Sequence, residues 1–385
     1  MNDLIYLDNA STSHPKPEVV YRSIEKFVRM SANPGRGGHR MALTTDRLVF
    51  ETRESVAELF GVCDSSQIVF TANATMAINM ALFGLLKAGD RVVTSSMEHN
   101  AVTRPLRALQ ARGVEVYKVQ ADRQGSLDPE AVQRACLEQP TRLLLINHCS
   151  NVTGTLQPIE ALGPWCRQHD ILFMVDGSQS AGSFPINLEE LSIDLFAAPG
   201  HKGLLGPQGT GFLYLRPRLP LTPLLYGGTG GSSHSELYPE QLPERLECGT
   251  MNTPGLAGLK AAVEYIQSVG LEQICLREQQ LLRCLVDGLL SLPGVEVYGP
   301  TGAVQHGAAV SFNLVGRDPA EVGFQLDQDF GISTRVGLHC APDAHKTIGT
   351  FPRGTVRVSP TYLTSDKDID YLLSALREMI STSAV

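Results

Sequence analysis

Two short apolar runs in the middle of the chain end in groups able to do chemistry. ILFMV leads into Asp176-Gly177-Ser178-Gln179, and DLFAAPG leads into His201-Lys202-Gly203. An aspartate at the tip of a buried strand loses its hydration, so it needs a cationic partner to keep its charge. A lysine amine at a second tip, set between glycines that let a ligand come close, is a candidate nucleophile. Pyridoxal 5'-phosphate engages both groups: its aldehyde condenses with a lysine, and an aspartate keeps its pyridine nitrogen protonated so that the ring takes up carbanion charge. Taken alone, Lys202 reads as an ordinary solvated lysine; Asp176 on a neighbouring strand tip reverses that reading.

Two tips side by side require a sheet. SQIVFT, RVVTSS, VEVYKV, RLLLINH, ILFMVDGS, DLFAAPG and TGFLYLR follow one another between residues 66 and 216, most separated by helical patterns such as ATMAINMALFGLLKAGD. Strands at that rhythm, several apolar throughout, predict βαβ units and a parallel or mixed sheet covered on both faces. Such sheets bind ligands at the carboxyl ends of their strands. The glycine-rich stretch YGGTGGSSHSELYPEQLPER comes next and reads either as a flexible linker or as an ordered active-site loop. Beyond residue 253 lie two long helical patterns (254–292), then VEVYG, AAVSFNLV, a helix from Pro319, ISTRVG, TVRVSP and an amphipathic helix from Asp366. The expectation is an α/β fold in two units, a large one over 15–253 and a small α+β one from 1–14 and 254–385.

Composition narrows the classes. With 385 residues, 43% of them hydrophobic and 19% charged, the chain can bury a sizeable core. A net charge of -8 is a poor match to a phosphate backbone, so nucleic acid is not an expected partner. No apolar run is long enough for a bilayer, and the opening MNDLIYLDNAS lacks a basic leader pattern, so a soluble cytoplasmic protein is expected. Eight cysteines are scattered without a C-x-x-C, and His148-Cys149 and His339-Cys340 alone do not make a four-ligand set, so no metal is expected.

In order along the chain, YLDNASTSHPKP, NPGRGGHRMA, TANATMAIN, MEHNA, SNVTG, VDGSQSAG, PGHKGLLGPQGTG, ECGTMNTPG and TRVGLHCAP resemble the class V aminotransferases of pyridoxal phosphate fold type I. Within that family they resemble the cysteine desulfurases and selenocysteine lyases. The resemblance implies a large domain with a mostly parallel sheet covered by helices, plus a smaller α+β C-terminal domain. It implies catalytic roles for Lys202, Cys340 and His99. Ala74 and Thr75 match the phosphate-binding turn, where free backbone N–H groups and the helix dipole favour an anion; by type alone, Thr75 is equally a plain N-cap. His99 matches a histidine that stacks on the pyridine face, although a lone histidine is more often structural.

Asn151 and Gln179 match side chains near the cofactor's phenolic oxygen and the substrate, and His201 matches a further phosphate contact. Thr250 resembles a threonine that reaches the phosphate bound to a partner subunit, which implies a homodimer. Arg357 matches the arginine that forks onto the substrate α-carboxylate, a geometry lysine cannot supply; its alternative is a surface strand arginine. Arg335 and Cys340 lie in a loop resembling the one whose cysteine attacks the substrate sulfur, and a neighbouring arginine and histidine would favour its thiolate. The alternative for Cys340 is a buried, inert cysteine. Three positions depart from the common pattern. Pro199 stands where a serine or threonine is frequent, Met76 where a glutamate is, and Asn73 where a glycine is; asparagine tolerates left-handed backbone.

The principal expectation is a pyridoxal phosphate-dependent cysteine desulfurase. It would convert L-cysteine to L-alanine and leave the sulfur on Cys340 as a persulfide for an acceptor protein or a reductant. A selenocysteine lyase, a class V transaminase or epimerase, and a cofactor-binding regulatory protein are the alternatives, because fold does not fix function.

Overall fold

The computed structural model describes residues 4–34, 38–229, 237–301, 306–307 and 309–382; the centre of the glycine-rich stretch, 230–236, lies outside them. Strand β1 (Ile5–Tyr6) and helices α1 (Glu18–Met30) and α2 (Arg40–Leu59) come first. The alternating region follows as β2 (Ile68–Thr71), α3 (Ala74–Leu85), β3 (Arg91–Ser95), α4 (Asn100–Gln110), β4 (Glu115–Val119), α5 (Pro129–Leu137), β5 (Leu143–Asn147), α6 (Ile159–Gln168), β6 (Leu172–Asp176), β7 (Leu195–Pro199) and β8 (Gly211–Leu215). The remainder is α7 (Thr253–Val269), α8 (Leu271–Leu290), β9 (Val295–Tyr298), β10 (Val310–Leu314), α9 (Pro319–Phe330), β11 (Ile332–Ser333), β12 (Arg335–Gly337), α10 (Pro342–Thr347), β13 (Thr355–Val358) and α11 (Asp366–Thr382).

Seven strands form one sheet in the order β2-β8-β7-β6-β5-β3-β4. Strand β8 pairs antiparallel with both its neighbours, and the other pairings are parallel. Burial on both faces explains the continuous apolar runs, and strand periodicity sends alternate residues to opposite faces. Val93, Leu144, Ile146, Phe173, Val175 and Phe196 join one core with α2, α5, α6 and α7. Val92, Leu143, Leu145, Met174 and Leu195 join the other with α3 and α4. Edge strand β4 (EVYKV) is half solvated and alternates in burial.

A four-stranded antiparallel sheet, β12-β13-β10-β9, is built on its own core with α8, α9 and α11. Leu7 is buried in that core, and β1 pairs in parallel with β11. The start of the chain is thereby tied to its last third. Helix α8 links the cores, with Ile274 and Cys275 in the first and Leu281 to Leu289 in the third.

The pairing of β6 with β7 sets Asp176 beside Ala197, so the turn after β7 carries Lys202 next to the Asp176 tip. Gly177 allows the chain to leave that tip: a Cβ there would lie 2.0 Å from the Phe196 ring, which is fully buried. Replacing Gly177 with alanine should destabilise the protein by about 1–3 kcal/mol through overpacking. Equilibrium urea unfolding checks this, and an unshifted midpoint would show that the ring yields freely.

Candidate active site

A single cleft at the carboxyl ends of β2, β3, β5, β6 and β7 gathers most of the residues singled out from sequence. Its lining includes Ala74, Thr75, His99, Asn151, Asp176, Gln179, His201 and Lys202, together with Asn73 and Pro199. Asp176 is buried, and its Oδ1 accepts from the Ser178 N–H at 2.9 Å. Burial pushes the Lys202 amine down to about 8, against an opposing pull from Asp176. Desolvation wins, so the amine is far more often neutral near neutral pH than an exposed lysine is.

The two histidines beside them are also held neutral. His99 caps α4, its Nδ1 accepting from the Ala101 N–H at 3.0 Å, and burial followed by the Lys202 charge pushes it down to about 4. Its ring proton therefore sits on Nε2. His201 is pushed to about 4 by burial, with Lys202 and Lys16 adding to it. The segment after β1 closes over this corner: the Ser13 N–H donates to the His201 carbonyl at 2.9 Å, and Gln179 Nε2 donates to the Ala10 carbonyl at 2.9 Å.

Helix α3 opens into the cleft. Asn73 is its N-cap, with φ -174° and ψ 169°, and its side chain accepts from the Met76 N–H at 2.9 Å. The left-handed tolerance expected of this asparagine is not used, because the position is extended and the side chain is wanted for the cap. Thr75 is not the cap. The N–H groups of Ala74 and Thr75 have no acceptor inside the helix, leaving two donors at the cleft.

The second sheet supplies the remaining groups. Arg357, on β13, is buried; its Nη1 donates to the Asn151 carbonyl at 2.9 Å and its Nη2 pairs with Asp8 at 2.8 Å. Cys340 is an exposed free thiol, so it is not the inert buried cysteine of the alternative reading. Both His339 and Cys340 have left-handed backbone, at φ 47° and 58°. Their carbonyls are pinned, one by Asn151 Nδ2 at 2.7 Å and the other by the Asn100 N–H at 2.7 Å. Lys202 and Arg357 both lie within electrostatic reach of the thiol. His339 does not serve it as the sequence suggested. Its ring is buried, pairs with Thr355 Oγ1 at 3.0 Å, and is pushed down to about 2 by burial, so it carries no positive charge. Arg335 is exposed, with Nη1 3.9 Å from Asp8. Thr250 is not in this cleft: it lines a separate cavity with Phe50, Arg53 and Glu247.

The sequence profile of the Aminotransferase class-V family matches residues 5–372. The chain belongs to that family. A probable cysteine desulfurase of Methanothermobacter thermautotrophicus is 36% identical over 385 residues, covering 98% of this chain and 95% of its own. A probable cysteine desulfurase of Pyrococcus abyssi is 32% identical over 390 residues, covering 99% and 95%. The solved apo structure of a cysteine desulfurase from Thermococcus onnurineus NA1 superposes with a TM-score of 0.93 at 33% identity, covering 99% of this chain and 96% of that one. The fold is that of the class V family, pyridoxal phosphate fold type I.

Family members of this kind are read from the residues at their strand tips, and two such residues escaped the sequence reading. Asn147 ends β5 and Cys149 follows it, and both line the cleft. The strand-tip rule applied to RLLLINH would have found them. Glu98 is fully buried behind the cleft, accepting from Ser95 and from the Asn147 N–H, and burial pushes it up to about 8. It is therefore a neutral acid near Asp176, and its position before His99 gave no sign of that. The capping role yields a test. Asn73→Ala should cost about 1 kcal/mol of stability and Asn73→Gly only a few tenths, measured by urea unfolding. Equal losses in the two variants would contradict the cap.

Proposed function

We propose that the protein is a pyridoxal 5'-phosphate-dependent cysteine desulfurase, which converts L-cysteine to L-alanine and carries the sulfur on Cys340 as a persulfide. The observation that carries this reading is the desolvated Lys202 amine and the buried Asp176 carboxylate in one cleft, with the exposed Cys340 held by its carbonyl to the N–H of Asn100, the residue after the cleft-lining His99.

The cofactor fits what the cleft leaves unpaired. His201 Nδ1, Asn151 Oδ1 and Asn147 Oδ1 are buried polar atoms without a protein partner, and such atoms are normally satisfied. A ligand rich in oxygen and ring nitrogen suits them, and the two free N–H groups at the start of α3 suit a phosphate. Ala74, Thr75 and His201 would hold that phosphate, Asp176 the ring nitrogen, Asn151 and Gln179 the phenolic side, and His99 the ring face. When bound, the cofactor supplies an aldehyde for the lysine and a ring that draws electrons from the substrate Cα.

The chain's own groups do the rest. Arg357 takes the α-carboxylate of cysteine, with Arg335 and Asn151 beside it. Lys202, partly neutral near pH 8, is a base able to accept the Cα proton. The Cys340 thiolate attacks the substrate sulfur: the new S–S bond forms as the C–S bond breaks, and its electron pair stays with the substrate carbon, which takes up a proton as alanine is made. A thiol, on a reductant or an acceptor protein, then removes the outer sulfur.

In this reading residues 15–253 form the cofactor-holding unit, and 1–14 with 254–385 bring Arg335, Cys340 and Arg357 to it. The placement of Thr250 away from its own chain's cleft supports a homodimer in which it serves the other subunit's phosphate. No helix among the described residues is long and apolar enough to cross a membrane.

Cys340→Ser separates desulfuration from other chemistry on this fold. The hydroxyl stays protonated near neutral pH where a thiol is partly ionised. The variant should still take up pyridoxal phosphate and still change its visible spectrum with L-cysteine, while alanine formation falls by orders of magnitude. Wild-type protein treated with L-cysteine without reductant should carry a sulfur adduct on the Cys340 peptide by mass spectrometry. Retained activity on selenocysteine alone would favour the lyase, and full cysteine activity in the variant would refute the persulfide route.

A further inference from the structure

The ladder between β3 and β5 ends early. Its last pair is Thr94 with Leu145, whereas β5 runs on to Asn147, which pairs with Asp176 of β6 on its other side. The His148 N–H donates to the Asp176 carbonyl at 3.0 Å. Successive N–H groups of a strand point to opposite neighbours, so the Asn147 N–H faces the place where β3 has already turned off. A side chain meets it there: Glu98 Oε1 accepts the Asn147 N–H at 3.1 Å.

The turn from Ser95 to His99 holds Glu98 in that place. Ser95 Oγ accepts from the Met97 N–H at 3.0 Å, so its own proton goes to Glu98 Oε1. Asn147 Nδ2 donates to the Met97 carbonyl at 2.7 Å. One turn thus grips Asn147 by its backbone and by its side chain. The remaining polar atom of that side chain, Oδ1, is buried without a protein partner, and Asn147 lines the cleft. Glu98 is itself fully buried and forms no ion pair among the described residues. Burial pushes it up to about 8; Ser95 and the Asn147 N–H oppose that shift, Asp176 adds to it, and Lys118 opposes it from a distance, its amine being engaged by Asp343 at 2.6 Å. Because Oε1 already accepts twice, the proton of the neutral acid sits on Oε2, which has no other partner.

We propose that Glu98 is a positioning residue for the cofactor: its carboxyl group stands in for the missing length of β3, fixes the tip of β5, and so holds Asn147 and the turn that carries His99 in place at the cleft, with Asn147 Oδ1 left free to accept from the bound ligand. The role needs an acceptor and no charge. An anion here would add to Asp176, whose charge is read above as holding the ring nitrogen's proton, and no paired cation would offset it. Neutral Glu98 leaves Asp176 as the anion of this row of strand tips. The inference rests on the reading of the cleft as a pyridoxal phosphate site.

Two variants separate acceptor from charge. Glu98→Gln keeps an oxygen for Ser95 and Asn147, and Glu98→Ala removes it. The dissociation constant of pyridoxal phosphate for each cofactor-free protein is measured near neutral pH by equilibrium dialysis, alongside alanine formation from L-cysteine. Glu98→Gln should stay within about twofold of wild type, while Glu98→Ala should bind the cofactor about tenfold more weakly, the scale of one buried donor left unpaired. A glutamine variant as weak as the alanine one shows that the charge is used, and an alanine variant as tight as wild type shows that Glu98 positions nothing; either overturns the inference. Urea unfolding of wild type against Glu98→Gln reads the uncharged state without the cofactor and without the alanine variant. An acid raised on folding from 4.5 to about 8 stabilises the fold below 4.5 and loses that stabilisation as pH rises through 8. The wild-type midpoint should therefore fall relative to that of Glu98→Gln between about pH 5 and 8. The infrared difference between the two proteins near neutral pH should show the band of a protonated carboxyl group. A constant midpoint difference, or no such band, overturns the inference. A wild type that takes up the cofactor yet makes no alanine from cysteine refutes the desulfurase reading instead, and the cofactor constants still decide the role of Glu98.

Discussion

An amine that must react near neutral pH has to be kept from water, and the rest of this structure follows from how that is arranged. Burial lowers Lys202 to about 8 although Asp176 opposes the shift. That balance needs both groups in one desolvated cleft without a tight ion pair to quench the amine. Two parallel neighbours, β6 and β7, provide it, since the Asp176 end of β6 pairs with Ala197, two residues short of the end of β7, and both chains leave the sheet on the same side. The apolar layers on both sides of the sheet exist to make those ends dry, and Gly177 exists because no Cβ fits between the Asp176 tip and Phe196.

A desolvated cleft built from one sheet still lacks a nucleophile for sulfur and a site for a carboxylate. Both come from elsewhere in the chain, and both are held by backbone groups as well as side chains. Asn151 Nδ2 and the Asn100 N–H take successive carbonyls of the Cys340 loop, while the Asn151 carbonyl takes Arg357. Asn151, which lines the cleft, thus also anchors the second unit, and Asn100 adds to it from the residue after the cleft-lining His99. Left-handed backbone at His339 and Cys340 turns the imidazole into the core and leaves the thiol outside.

Much of this was legible along the chain, for a physical reason. Strands buried on both faces must be apolar throughout, so the runs ending at Asp176 and Pro199 announced themselves, and the tip rule then found Asp176 and Lys202. What stayed hidden depends on contacts between distant residues. Asp8 meets Arg357 across 349 positions, and no local pattern near the start of the chain records that. His339 has a residue type that suggests charge beside a cysteine, but its burial against Thr355 takes the charge away. Asn73 was read by what its backbone tolerates, whereas its side chain is what the helix uses.

The central claim is that the fold desolvates Lys202 and so tunes it as the reacting amine. It is tested most directly by adding pyridoxal phosphate to the cofactor-free protein over a range of pH, trapping the product with borohydride, and mapping the labelled peptide. The account predicts one dominant label, on Lys202, with a labelling rate that climbs as the amine loses its proton and levels off above about pH 8. A rate still climbing towards 10.5, the value of an ordinary lysine, or a dominant label on another lysine, would contradict it.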